Sequence, residues 1–249
     1  MLEIHRRQLT RGQLQKLLTE LSESEEDSLT LYAAPGSWPA CAGSLPAAYQ
    51  ALLAELEEAA APARASETGA ACFWSEHHKV MVLPPFPVVA TRCSVGCDFA
   101  PLLDMLNRSY RLGVVLLRLG RYAVGVFEGD RLLASKTDTR FVKGRHRAGG
   151  QSQRRFERIR EKQVRELFDE ACAQVQAKFQ PVERELDYVF LGGDRRTLGA
   201  FLKRCAYLQR LQDRTMKRVL PVAAPRRDAL ERIIDKIFTS QMLFAVDSD

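Results

Sequence analysis

Between Gln151 and Gln180 the chain runs without a glycine or a proline, and Pro181 then ends the run. A stretch of that kind predicts one long helix from about Ser152 to Phe179, and the rest of the fold has to be arranged around it. At 100° per residue, Ile159, Leu167, Ala171 and Val175 share one side, with Phe156 close to it. Arg154, Arg155, Arg158, Lys162 and Arg165 gather on the opposite side. The spacing thus predicts a helix that packs with one face and shows a basic face to solvent. Arg160 points toward the apolar side, either as a contact to the preceding loop or with its guanidinium reaching out past an apolar stem. Free N–H groups at the start of such a helix make a natural site for an anion.

Before the helix lie three strand-like segments in quick succession, "YRLGVVLLRLG", "RYAVGVFEGD" and "RLLASKTDTRFV". Gly120-Arg121 and Gly129-Asp130 are suited to the hairpin turns between them. After it come a buried strand, "LDYVFLGG", a helix capped by Asp194, a short strand, "RVLPVAA", and a last helix over 226–242. Three antiparallel strands followed by helix-strand-helix-strand-helix are wired like a ribonuclease H-like α/β layer, with a mixed sheet and flanking helices. The N-terminal part reads as a smaller α/β domain. It holds a helix over 9–21, the strand "SLTLYAA", a helix over 47–60, and the strand candidates "ACFWS", "KVMVL" and "FPVVATR". Pro84, Pro85 and Pro87 restrict the last of these to an edge or a late start. The expected division is 1–104 and 105–249.

Charge is distributed unevenly. Arg131 to Arg165 holds 12 Lys/Arg against Asp138, Glu157 and Glu161; that is +9 in a chain whose total is +6. All of the excess positive charge therefore sits around the long helix and the loop before it, the footprint of a surface for a polyanion. With 46% hydrophobic residues over 249 positions the chain can bury a real core. No apolar run approaches a membrane span, the start lacks a signal-peptide core, and the expectation is a cytosolic monomer.

Cys41, Cys72, Cys93, Cys97, Cys172 and Cys205 lie in apolar segments and read as thiols rather than a disulfide framework. Cys72, His77, His78, Cys93 and Cys97 could supply metal ligands, but no paired Cys-x-x-Cys spacing supports it, and neither metal nor cofactor is expected. Gly192-Gly193-Asp194 resembles a phosphate-binding turn, yet a strand-to-helix turn with an N-cap explains it. A metal-dependent nuclease would need carboxylates on the central strands, and "GVVLLRLG" has none.

The candidate chemistry lies in Gly149-Gly150-Gln151, at the junction of loop and helix. Two glycines let a backbone approach a ligand closely. A glutamine does not titrate, so it is no acid or base; its amide can orient a water and its N–H can stabilise developing negative charge. Such a site has to borrow proton traffic from its partner. Around it stand Lys143, Arg145, His146, Arg147, Arg154, Arg155, Arg158, Arg160 and Lys162, all suited to RNA phosphates. Lys143 to Gln151 offer almost no apolar side chain to bury, so this loop is expected to order only on a partner.

The stretch "RAGGQSQRRFERIR" is similar to the loop-and-helix signature of eukaryotic and archaeal class-I peptide-chain release factors: Gly-Gly-Gln-Ser, two variable positions, then Arg-Phe-x-Arg-hydrophobic-Arg. Gly149, Gly150, Gln151, Ser152, Arg155, Phe156, Arg158, Ile159 and Arg160 fit it. The resemblance covers roughly 105–249 and lacks counterparts of the stop-codon-reading motifs and of a third, GTPase-recruiting domain. In that respect the chain looks more like the Vms-like release factors. That resemblance implies a codon-independent peptidyl-tRNA hydrolase of ribosome-associated quality control, with Gln151, Gly149 and Gly150 catalytic. Its partners would be the large ribosomal subunit, rRNA and peptidyl-tRNA. Two other readings stay open: an endonuclease removing the 3′ CCA end of the tRNA, and a non-catalytic ribosome-binding factor.

Overall fold

The computed structural model describes residues 2–22, 27–38, 45–144 and 151–247. In chain order the first part holds β1 (Leu2–Leu9), α1 (Arg11–Ser22), β2 (Ser28–Ala33), α2 (Gln50–Ala59), α3 (Ala61–Arg64), β3 (Ala70–Ser75), β4 (Lys79–Leu83), β5 (Arg92–Val95) and α4 (Ala100–Asn107). Next come β6 (Arg111–Arg118), β7 (Arg121–Glu128), β8 (Arg131–Thr139), α5 (Gln151–Phe179), β9 (Tyr188–Gly193), α6 (Arg195–Arg204), α7 (Ala206–Arg210) and β10 (Thr215–Leu220). The chain closes with α8 (Arg227–Glu231), α9 (Ile233–Ile237) and β11 (Ser240–Asp247). These elements form two units, one of residues 1–108 with 235–249 and one of residues 109–234.

The first unit is an antiparallel sheet in the order β1-β11-β4-β3-β2-β5. Side chains alternate across it, so each face carries its own core. Leu14, Leu18, Leu102 and Leu106 of α1 and α4 pack with Tyr32, Phe73 and Val82 on one face. Leu53, Leu56 and Ala63 of α2 and α3 pack with Leu31, Cys72 and Trp74 on the other. The expected boundary at 104/105 falls inside α4, whose buried Leu102 and Leu106 belong to this core.

Several expectations are corrected here. The helix predicted over 226–242 breaks into α8 and α9, and its end becomes β11. Ser240–Leu9 through Asp247–Leu2 all pair, and Gln241 to Phe244 pair with β4, so two-sided sheet hydrogen bonding overrides the helical spacing. The start of the chain is an edge strand, β1, where no strand was expected, and α1 follows it. Arg92–Val95 replaces the strand predicted from Phe86, because the prolines before it cannot donate to a ladder. The helix predicted after Asp194 turns at Cys205 into α6 and α7.

The second unit follows the expected wiring. Its sheet runs β10-β9-β6-β7-β8, with β6, β7 and β8 antiparallel and β9 and β10 parallel to β6. Strands β6, β8, β9 and β10 therefore all end at one edge. Leu167, Ala171, Val175 and Phe179 of α5 lie on Val115, Leu117, Tyr122 and Val124 of β6 and β7, all fully buried. Gly113 permits this approach, since a Cβ there would stand 2.7 Å from the Phe179 ring. Asp194 caps α6 as expected, accepting from the Thr197 N–H at 2.9 Å.

Gly192 and Gly193 serve packing rather than a ligand. Gly193 has φ +132, and a Cβ on it would lie 2.0 Å from the Leu117 carbonyl oxygen. Gly193→Ala is therefore expected to destabilise the protein by about 2–4 kcal/mol, measured by denaturant unfolding. A loss below about 0.5 kcal/mol would contradict the close approach of β9 to β6.

Candidate RNA-contacting loop and helix

Helix α5 has 29 residues, about 43 Å at 1.5 Å per residue, and only its C-terminal half lies on the sheet. Full burial begins at Leu167. Residues 151–166 project beyond it as an arm of about 24 Å. Arg154, Arg155, Phe156, Glu157 and Arg158 are all exposed, on every side of the helix. The predicted packed face is thus real from Leu167 onward. Along the arm it gives way to half-buried Ile159 and Val164 and a Phe156 that remains 40% exposed. Arg154, Arg158 and Lys162 follow one another at i, i+4, where like charges repel and weaken the helix.

The arm is braced by the chain that leaves β8. The Arg140 N–H donates to the Gly120 carbonyl at 2.9 Å, fixing the exit from the sheet. The Arg140 guanidinium then reaches Glu170 at 2.6 Å and Glu166 at 3.1 Å on α5. The Tyr122 hydroxyl donates to the same Glu170 at 3.1 Å; burial first, and then that carboxylate, push the phenol far above its ordinary range. Further along, the Lys143 N–H donates to Gln163 Oε1 at 3.0 Å, and Arg160 Nε donates to the Lys143 carbonyl at 3.1 Å. The Lys143 ammonium stands 5.0 Å from the centre of the Phe156 ring. Each step from Arg140 to Lys143 meets the helix nearer its N-terminus.

These contacts divide the sequence-derived residues. Arg160 takes the first of its two readings, a contact to the preceding loop, and Lys143 is fastened to the helix instead of lying in a free loop. Arg154, Arg155 and Arg158 are exposed on the arm; Lys162 is exposed as well, with Glu166 at 3.9 Å. Gln151 opens α5, and its side chain is outside the described residues. Arg145, His146, Arg147, Gly149 and Gly150 lie outside the described residues altogether. Arg140 and Gln163 were missed in the sequence, because neither partner is near in the chain and an Arg or Gln among so many has no distinguishing pattern.

Two ties hold the buried half of α5. Arg204 grips Asp169 through Nε at 2.6 Å and Nη2 at 2.7 Å, and this guanidinium keeps the Asp169 carboxyl below its usual range. Cys172 and Cys205 form a disulfide between α5 and the α6–α7 junction, which corrects the expectation of thiols for that pair. Spacing alone concealed it, since the two cysteines meet only when the helices pack. The other proposed ligands are not gathered: Cys72 is buried in the first unit's core while His77 and His78 are exposed at the β3–β4 turn. Among the described residues no cluster of three or more His, Cys, Asp or Glu could hold a metal, and no helix is long and apolar enough to cross a membrane.

Residues 110–243 match the family described as Actinobacteria/chloroflexi VLRF1 release factor. Peptide chain release factor subunit 1 of Archaeoglobus fulgidus is 30% identical over 128 residues, which are 51% of this chain and 31% of that protein. The protein of the same name from Methanosphaera stadtmanae is 34% identical over 131 residues, 51% of this chain and 32% of its own length. The chain thus spans about a third of the curated relatives it matches. Among solved structures, the archaeal translation termination factor aRF1 superposes with a TM-score of 0.39 at 18% identity, covering 92% of this chain and 73% of that one.

Removing the brace tests its contribution to the arm. Gln163→Ala leaves the Lys143 N–H without its partner, worth about 0.5–1.5 kcal/mol, or roughly 2- to 10-fold in an opening equilibrium. Amide hydrogen exchange over residues 154–162 should accelerate by that factor, and Gln163→Glu, which keeps the acceptor, should restore it. Exchange in Gln163→Ala that matched the parent would show that the arm does not need this contact.

Proposed function

Because the chain belongs to the Actinobacteria/chloroflexi VLRF1 release factor family, we propose that it is a codon-independent peptidyl-tRNA hydrolase that frees stalled nascent chains on the large ribosomal subunit, in ribosome-associated quality control. The observation that carries this reading is the arm. A helix of about 24 Å, rich in exposed arginine and braced at its base, ends at Gln151 with Gly149 and Gly150 just before it. A core-forming helix has no use for such an extension. A group that must be delivered through RNA to an ester does.

The reaction needs little from the protein beyond placement. A water oxygen attacks the carbonyl carbon of the ester, forming a tetrahedral oxyanion. That intermediate collapses by breaking the bond to the ribose 3′-oxygen of the terminal adenosine. The water's protons end on the departing 3′-oxygen and the new carboxyl group, the latter then ionising. In this reading the Gln151 N–H donates to the developing oxyanion and its side-chain amide orients the water. Gly149 and Gly150 allow the backbone to come close to the ester. Arg145, His146, Arg147, Arg154, Arg155, Arg158 and Lys162 hold RNA phosphates, with Lys143 and Arg160 serving chiefly to fix the loop's base. No cofactor enters, because water is the nucleophile.

RNA binding also resolves the arm's internal conflict. Arg154, Arg158 and Lys162 repel one another in the free protein, and phosphates between them turn that repulsion into attraction. Affinity for large subunits should therefore fall steeply with salt, and neutralising Arg154, Arg155 and Arg158 together should flatten the slope by about 2–3. Unaltered salt dependence in that triple variant would contradict a phosphate role for the arm.

Gln151→Ala should leave binding and its salt dependence unchanged while abolishing release from subunits carrying peptidyl-tRNA. The tRNA product discriminates between chemistries: ester hydrolysis leaves an intact CCA end, and a shortened tRNA would establish 3′-end cleavage instead. Release by Gln151→Ala at the parent rate would refute the assignment of catalysis to this residue.

A further inference from the structure

Two apolar side chains of the second unit stand in solvent at one place. Phe141 is 73% exposed and Leu119 43% exposed. Leu119 lies in the β6–β7 turn, Gly120 of that turn accepts from the Arg140 N–H at 2.9 Å, and Phe141 follows Arg140. The place is the edge where β6, β8, β9 and β10 all end, and the chain leaves this edge along the brace toward the arm. A phenyl ring this exposed buries little against its own fold, so its presence there contributes little to stability.

Cations lie along the same edge. Arg118 and Arg121 flank the turn as a cross-strand pair, and Arg195 and Arg196 begin α6 directly after β9. Arg118 donates through Nη1 to the Ala223 carbonyl at 2.8 Å, which fixes its guanidinium beside the strand ends while the residue stays exposed. The acids at this edge are already occupied. Asp138 accepts from Lys136 and from the Thr139 N–H. Asp194 turns inward to the Thr197 N–H and hydroxyl; these bonds, with Arg118 and Arg196 nearby, hold its carboxyl below the usual range. Arg121 and Arg195 have no acidic partner among the described residues.

We propose that this edge is a second RNA-contact surface, distinct from the arm, in which Phe141 stacks on an unpaired base while Arg118, Arg121, Arg195 and Arg196 hold neighbouring phosphates. The proposal rests on the reading of the arm as an element directed into RNA. An exposed aromatic ring on an edge that also carries guanidinium groups is the composition that single-stranded RNA selects, because every base presents a π-face and every nucleotide a charge. A protein partner would have to bring acids to four arginines, and nothing in the shape of this edge asks for that. Position adds a function. The edge lies about 24 Å behind Gln151 and faces the direction in which the arm points, so RNA seated on it would stop the arm at a fixed depth.

The test uses the full chain with purified large ribosomal subunits carrying peptidyl-tRNA, and a fluorescent single-stranded RNA as a second probe. Phe141→Ala should weaken binding to both by about tenfold without changing the salt slope. Phe141→Tyr should restore it and Phe141→Leu should not, since stacking needs the ring. Reversing Arg121 and Arg195 together to Glu should weaken binding and flatten the salt slope, whereas Lys178→Glu with Arg184→Glu, at the far end of α5, should do neither. Parent-like binding by Phe141→Ala, rescue by Phe141→Leu, or an equal effect of the far-end pair would each overturn the proposal. Binding with these dependences but no peptide release would keep this surface and remove the hydrolase reading. Release with no effect of Phe141→Ala or the Arg121/Arg195 reversal would do the reverse.

Discussion

Everything in the second unit depends on how α5 is held over its last thirteen or so residues. Leu167, Ala171, Val175 and Phe179 are clamped to β6 and β7, and a helix that stays intact transmits that orientation along its hydrogen-bonded axis. The arm is therefore aimed from behind. A small tilt at the Phe179–Gly113 contact would be magnified at Gln151, some 40 Å away along the helix. That explains why the buried half carries so many independent fastenings. Close packing at Gly113, the Arg204–Asp169 fork and the Cys172–Cys205 disulfide all restrain the same rod.

The brace solves a different problem. An isolated helix of the arm's length, carrying like charges at i, i+4, would fray in water. Tertiary contacts have to supply what propensity does not, and they come from Arg140 to Lys143 running alongside it. The arrangement also shortens the loop that must close between β8 and α5. Fixing Lys143 against Gln163 leaves a shorter connection to close before Gln151, and a shorter connection costs less entropy to close. Exposed charge on the arm and half-buried ion pairs at its base thus act in opposite directions. The former repel one another along the helix, and the latter hold it in place.

What could be read in the sequence follows from the range of the interactions involved. The second sheet was legible because β6, β7 and β8 are joined by two tight glycine turns and each strand's pattern is local. The long helix, its basic residues and the Asp194 cap were legible for the same reason. Positions decided by distant partners were not. Met242 sits at a spacing that continues a helix, and only the presence of β1 and β4 on either side makes a strand the better solution. Arg160 could be narrowed to two roles but not to one, since the choice depended on where the Lys143 carbonyl would lie. Phe141 reads in sequence as the next alternating residue of a strand; the strand stops at Thr139, and the ring is left outside.

The return of the last strand to the first sheet makes synthesis and folding run in different orders. Strand β11 does not cap an edge: it lies between β1 and β4, the central position that joins β1 to the rest. While the chain is being made, residues 109–234 are complete and can fold as a contiguous unit. The earlier residues must meanwhile keep β4 as an open edge with β1 unattached until β11 emerges. A ribosome halted before β11 has emerged would thus hold a finished second unit and an unfinished first one. Strand β1, although made before every other element described, finds its partner only when β11 arrives.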